Sequence, residues 1–229
     1  AAASWGVDAH LEQYVDLLAA LVDQSLVRRT TDADGSTRFD LLRTIREFAR
    51  EQLAFMGEED AAAQRHAAYF LAFAESVEPE LVRADQVAWL ERLAAERSNI
   101  IAALSWFLAH DGISEGLRLA VAMRFSWLRR GPLSEGTRWL RAFLERAAPE
   151  VEPRIRARAL GAEGAFYHWL GREEEALPLY EQSLALFREA GDLVGVARLL
   201  RNLASLAIDL GDLAEAERLL AESQHVAAA

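Results

Sequence analysis

Gly131, Gly171 and Gly211 stand 40 residues apart, and the residues around them recur with the same spacing. The three neighbourhoods read Gly131-Pro-Leu-Ser-Glu135-Gly136, Gly171-Arg-Glu-Glu-Glu175-Ala176 and Gly211-Asp-Leu-Ala-Glu215-Ala216. Arg118, Arg158 and Arg198 keep the same register. A short helical unit cannot bury its apolar face alone, so a fixed period on helical sequence demands that neighbouring units stack around one continuous core. The register predicts a first helix running up to each glycine and a second helix after it. Breaks are expected at Ala148-Pro149-Glu-Val-Glu-Pro153 and at Ala190-Gly191-Asp192. The fold class that follows is all-α: an α-solenoid of helix pairs.

Upstream of the repeats the pattern changes twice. Leu11 to Val22 follows the helical period through Leu11, Tyr14/Val15, Leu18 and Leu21/Val22, with Asp8 as its expected N-cap. Ser25 to Thr31 then turns β-branched, Asp32-Ala-Asp34-Gly35-Ser36 has tight-turn chemistry, and Thr37, Phe39 and Leu41 alternate as a return strand. This is the single β-hairpin the sequence predicts. A second helix carries Ile45, Phe48/Ala49, Leu53 and Met56, with Thr44-Ile-Arg-Glu47 at capping-box spacing and Gly57 as the stop; Leu41/Leu42 already fit its apolar stripe, so a start before Thr44 is the alternative. Helix, hairpin, helix is the back half of a winged-helix unit. From Glu59 only helices are expected, with stripes at Ala67, Phe70, Phe73/Ala74 and Val77, at Val87, Leu90 and Leu93/Ala94, and at Ile100/Ile101, Leu104 and Phe107/Leu108. Ser98 or Asn99 is placed to cap the third, and Asp111-Gly112 to end it. The expected organisation is a partial winged-helix domain over 1–57, a connecting helical segment over 58–112 and repeats over 113–229.

Within the repeats, Gly164, Ala204, Gly136, Ala176 and Ala216 sit where helices must approach, and Trp127, Tyr167, Leu140, Tyr180 and Leu220 fill the gaps. The pattern Leu160-x-x-Glu163-Gly164-x-x-Tyr167, with Leu200-x-x-Leu203-Ala204-x-x-Ala207 in the next unit, resembles the tetratricopeptide repeat. The first unit departs most, carrying Arg124 at the small position, and irregular packing is expected there. The order of segments extends the resemblance. Ala20-Leu-Val-Asp-Gln-Ser-Leu-Val27, Arg38-Phe-Asp-Leu-Leu-Arg-Thr-Ile-Arg-Glu-Phe-Ala49 and Arg65-His-Ala-Ala-Tyr-Phe70 resemble the middle of STAND-class bacterial regulators. Trp89-Leu90, Ser98-Asn99-Ile100 and Gly211-Asp212 fit the same resemblance. Those proteins are multidomain NTPase switches related to LuxR-type and antibiotic-production activators. The resemblance implies a segment joining a nucleotide-binding switch to a helical sensor or protein-binding array.

Several kinds of chemistry lack their residues. The 229-residue chain has no cysteine, which excludes disulfides and thiolate-ligated metals. All 25 basic residues are arginine, a usage read as coding bias; without lysine there is no P-loop. ATP is therefore expected only in a domain outside this chain, with no cofactor within it. His10, His66, His110, His168 and His225 form no metal-ligand pair, and no nucleophile elbow appears, so neither catalytic nor metal-binding residues are assigned. No apolar run approaches the ~20 residues of a membrane span. The chain reads as a piece of a longer cytoplasmic protein. A net charge of −11 disfavours general nucleic-acid binding. Between Leu26 and Arg50 six arginines face four acids, two of them in the wing turn, so DNA contact through the winged helix is only the alternative reading.

The preferred reading is a non-catalytic regulatory scaffold that binds a protein or peptide, a ligand, or another domain of the parent chain. In stacked pairs of the tetratricopeptide kind the first helices line the concave face. The register places Arg118, Arg158 and Arg198 in one column there, with Arg201 and Asn202 close by. Arg129, Trp169 and Asp209 form a second column. Arginine forks with an aromatic nearby suit an acidic or phosphorylated partner; the competing reading is that these arginines pair with glutamates of adjacent helices or are simply solvated.

Overall fold

A computed structural model describes residues 8–31, 35, 37–147 and 151–228, with the side chains of residues 8–13 excepted. The expected Asp8 cap, most of the wing turn and the Ala148–Glu150 break lie outside what is described. The described residues divide into two units, with the boundary after Ala62.

In the first unit, helix α1 (Asp8–Asp23) leads into strands β1 (Val27–Thr31) and β2 (Thr37–Leu41), and helix α2 (Arg43–Met56) follows. The strands pair antiparallel with Arg29 opposite Phe39. Helix α2 starts earlier than a capping box at Thr44 requires, with Leu42 at the cap and no side-chain cap bond. Thr44 is therefore already helical, and Glu47 instead accepts a hydrogen bond from Arg43 Nε at 2.9 Å. The helix stops at Gly57 in the left-handed conformation, as expected. No α2 residue is buried; Phe48 and Phe55 are 58% and 88% exposed. The apolar stripe legible in the sequence is thus only partly covered, with Ile45, Ala49 and Leu53 half-buried.

Among its described residues the second unit contains helices and no strand. Helix α3 (Glu59–Val77, which begins just before the boundary) runs into a 3-10 turn at Glu78–Val82, followed by α4 (Gln86–Ala95) and α5 (Arg97–Ala109). Neither Ser98 nor Asn99 caps α5: the helix begins at Arg97, and the Asn99 amide donates to Glu96 Oε2 at 2.7 Å. Three helix pairs follow. They are α6 (Ile113–Ala122) continued by α7 (Arg124–Arg129) against α8 (Leu133–Arg146), then α9 (Pro153–Trp169) against α10 (Glu173–Glu189), and α11 (Leu193–Asp209) against α12 (Leu213–Ala227). Each predicted first and second helix is present. In the first pair the first helix is interrupted at Met123, next to the arginine that replaces the small residue of the other two units.

The core is continuous from Ala67 on α3 to Phe166 on α9, and a second cluster runs from Ala157 to Leu219. Helix α9 belongs to both, burying Ala157 toward one and Phe166 toward the other, which is why its apolar residues do not keep to one stripe. The small residues set the helix spacing. A methyl added to Gly164 would lie 2.8 Å from the Tyr180 ring, and one on Gly116 would lie 2.1 Å from Phe143. Ala176, Ala204 and Ala216 are buried, as are Trp127, Leu140, Tyr167 and Tyr180. Leu220 is the exception at 39% exposed, because no later helix among the described residues covers it; Leu219 is buried instead.

One repeated interaction holds second helices to first. Ser183 Oγ donates to the Ala157 carbonyl at 2.6 Å, and 40 residues on Ser223 Oγ donates to the Ala197 carbonyl at 2.8 Å. In the first pair the equivalent residue is Phe143, fully buried, and Gly116 leaves room for its ring.

Candidate functional site

The first helices of the three pairs line a cavity of about 540 Å³. Helix α7 contributes Arg124, Phe125 and Leu128; α9 contributes Arg158, His168 and Trp169; α11 contributes Arg198, Asn202 and Asp209. Tyr180 of α10 closes part of the wall. This size lies within the range of small-molecule sites. Because α9 and α11 are offset by one 40-residue period, Arg158 and Arg198 sit at matching height one turn into their helices.

Charge is concentrated at the Arg158 end. Glu78, on the 3-10 turn after α3, accepts hydrogen bonds from Arg158 Nη2 at 2.7 Å to each oxygen, and it also pairs with Arg124. Burial pushes the Glu78 carboxyl up, but Arg124 and Arg158 together outweigh it and hold its pKa below the ordinary carboxylate value. Arg198 faces a different situation. Its guanidinium carbon lies 5.6 Å from the centre of the Phe187 ring, and no carboxylate lies within ion-pair distance among the described residues. Burial, then the nearby Arg124 and Arg158 cations, pull its pKa below the usual guanidinium value. Arg124 is lowered as well, first by burial. At the other end His168 Nε2 lies 2.7 Å from Asp209 Oδ2, with the Tyr180 hydroxyl 3.4 Å from His168 Nδ1.

The structure brings together Arg158, Arg198, Asn202 and Trp169 of the residues singled out in the sequence, with Asp209 of the second column beside them. Arg118, Arg129 and Arg201 do not line this cavity. Arg118 instead donates two hydrogen bonds of 2.7 Å to Glu75 on α3, so the first member of the column is spent on an interhelical ion pair. Its interrupted helix turns Arg124 into the cavity in its place. Arg124 and His168 were not assigned to the site from sequence. The signal for Arg124 was its departure from the small residues Gly164 and Ala204 at the same register. Among the described residues no cluster of three or more metal-ligating side chains occurs. Nor does any described helix have the length and apolarity to cross a membrane.

Comparison with known proteins agrees with both units. The tetratricopeptide repeat profile matches residues 155–227, which are the second and third pairs and exclude the interrupted first. The winged helix-turn-helix domain profile matches residues 2–54. Curated proteins from Mycobacterium bovis and Mycobacterium tuberculosis, provisionally named helix-turn-helix type transcriptional regulators, are 34% identical over 204 residues, covering 85% of this chain. The chain spans 23% of the length of these relatives.

Proposed function

We propose that this chain, a winged helix-turn-helix unit followed by a tetratricopeptide array, is the ligand-sensing segment of a multidomain transcriptional regulator of the STAND type. It performs no catalysis of its own, works in the cytoplasm, and leaves nucleotide chemistry to a domain outside it. The observation that carries this reading is the cavity lined by all three first helices, where Arg198 holds a half-buried charge with no carboxylate within ion-pair distance among the described residues. Buried cations are ordinarily paired, so a site that keeps one open is built for something that arrives from outside. The regulatory half of the reading draws on the two domain matches and on the names of the mycobacterial relatives.

The test is a thermal-shift screen of the chain against a metabolite collection, repeated on Arg158→Ala and Arg198→Ala. A ligand that raises the melting temperature of the wild type and of neither variant supports the reading. Hits that ignore both substitutions, or no hits at all, would sink it.

A second reading, DNA contact through the winged helix, is favoured by the match to residues 2–54. Among its arginines, Arg43 pairs with Glu47 and Arg46 with Asp40 at 2.7 Å. A mobility-shift assay over a salt series separates the two readings: saturable, salt-sensitive binding to duplex DNA supports contact, and no shift at low salt rejects it.

A further inference from the structure

The cavity contains more positive charge than its own carboxylates neutralise. Arg124, Arg158 and Arg198 line it, and Glu78 bonds only the first two. Asp192 attracts Arg198 electrostatically, but its side chain is committed elsewhere. Its Oδ1 accepts the Gly195 N–H at 2.9 Å as a helix cap, and its Oδ2 lies 3.9 Å from Arg154 Nε. The basic end therefore carries a surplus of about two positive charges, which balances the roughly two negative charges of an ionised phosphate monoester near neutral pH. Guanidinium groups match phosphate geometrically as well, because their planar forks donate two parallel hydrogen bonds.

The remainder of the cavity sets what the phosphate is attached to. Trp169 lies eleven residues along α9 from Arg158, roughly 16 Å at the helical rise. Between the two ends the wall is formed largely by Phe125, Leu128 and Leu199, and Asn202 supplies a polar edge. A bare phosphate ion would fill one end and leave an apolar volume empty. Resting on the sensing role above, we infer that the cavity binds a small phosphate monoester with an apolar or aromatic body. Arg198 is its principal anchor and Arg158 and Arg124 complete the cradle. Glu78 stays in place as the shared carboxylate that holds those two arginines together.

Isothermal titration of the chain at low salt tests this with four probes: phenyl phosphate, inorganic phosphate, benzoate and phenol. Phenyl phosphate should bind saturably at one site, more tightly than inorganic phosphate and at least about tenfold more tightly than the monoanion benzoate, with no binding by phenol. Arg198→Gln should weaken phenyl phosphate by about tenfold or more without lowering the melting temperature, because among the described residues no carboxylate lies within ion-pair distance of Arg198. Arg201→Gln, exposed and off the cavity, should leave binding unchanged. The inference is overturned if phenyl phosphate shows no saturation at millimolar concentration, if benzoate or phenol matches it, or if Arg198→Gln binds like the wild type. Should the metabolite screen still yield a ligand dependent on Arg158 and Arg198, the sensing role stands and the phosphate class alone falls. Failure of both experiments removes both.

Discussion

Replacing Glu78 by Gln removes the one carboxylate between Arg124 and Arg158 while keeping the side chain's shape. Both Glu78 and Arg124 side chains are only 17% exposed, so solvent does little to screen what is lost. Each close pair is worth roughly 4 kcal/mol of attraction at 4 Å and an effective dielectric of 20. Much of that gross gain offsets the desolvation of the ions, and deleting one partner of a buried pair typically costs about 3–5 kcal/mol net. Gln keeps one oxygen able to accept from Arg158, which places the expected loss near the lower limit, about 3 kcal/mol. For a unit of this size that corresponds to a fall in melting temperature of roughly 6–12 °C. The pH dependence is the sharper test. The folded pKa of Glu78 is lowered from 4.5, so its stabilisation is present above that value and is lost as pH falls through the lowered folded pKa. Thermal melts of wild type and Glu78→Gln, in buffers free of phosphate and sulfate, should show a constant gap at neutral pH that closes only below pH 4.5. A variant melting within a degree or two of wild type at pH 7, or a gap that persists unchanged to strong acid, would refute the reasoning.

Glu163 should behave in the opposite sense: burial raises its carboxyl despite Arg141 at 3.7 Å, so its ionisation costs stability as pH rises from 4.5 through the raised folded pKa. Glu163→Gln should be more stable than wild type at pH 7, with the advantage gone in acid melts below pH 4.5. Ser183→Ala and Ser223→Ala should each cost about 1 kcal/mol in urea unfolding, one hydrogen bond apiece, and their effects should add to within about 0.5 kcal/mol if the two repeats carry independent copies of the same bond. Gly116→Ala would drive a methyl into the Phe143 ring, and Ala204→Leu would overpack a fully buried contact; each should cost about 1–3 kcal/mol, and Gly116→Ala should be partly rescued by Phe143→Leu. Calorimetric melts check both, and an unchanged midpoint for Ala204→Leu would mean the repeat register is misassigned.

How far the sequence reaches is decided by whether a residue acts through periodicity or through a partner far along the chain. Helix pairs, the hairpin and the stops at Gly57, Gly171 and Gly211 were legible because each depends on residues a few positions apart or on the 40-residue register. The caps were less so. Thr44, Ser98 and Asn99 have the right chemistry, but their helices begin earlier, at Arg43 and Arg97, which leaves them inside the first turn. The arginine column was legible as a register, and the register alone could not say which members were already spent. Arg118 is neutralised by Glu75, 43 residues away, and Arg158 shares Glu78, 80 residues away, with Arg124; both carboxylates lie on or just after α3, a helix outside the repeat. Nothing in the local pattern around either arginine announces those carboxylates. The serine bond was missed for the opposite reason: Ser183 and Ser223 do obey the period, but Phe143 breaks it in the first unit, and two matches out of three look like coincidence until the shared carbonyl acceptor is seen. In both cases the first unit is where the period fails, at Arg124 for Gly164 and at Phe143 for Ser183. The two failures have different consequences. Phe143 is absorbed into the core by Gly116 and affects packing alone, whereas Arg124 meets a carboxylate from outside the array and adds a third cation to the cavity. A departure from a repeat is thus a pointer to function when its side chain is charged and its compensation comes from outside the repeat, and a packing adjustment when a neighbouring glycine suffices.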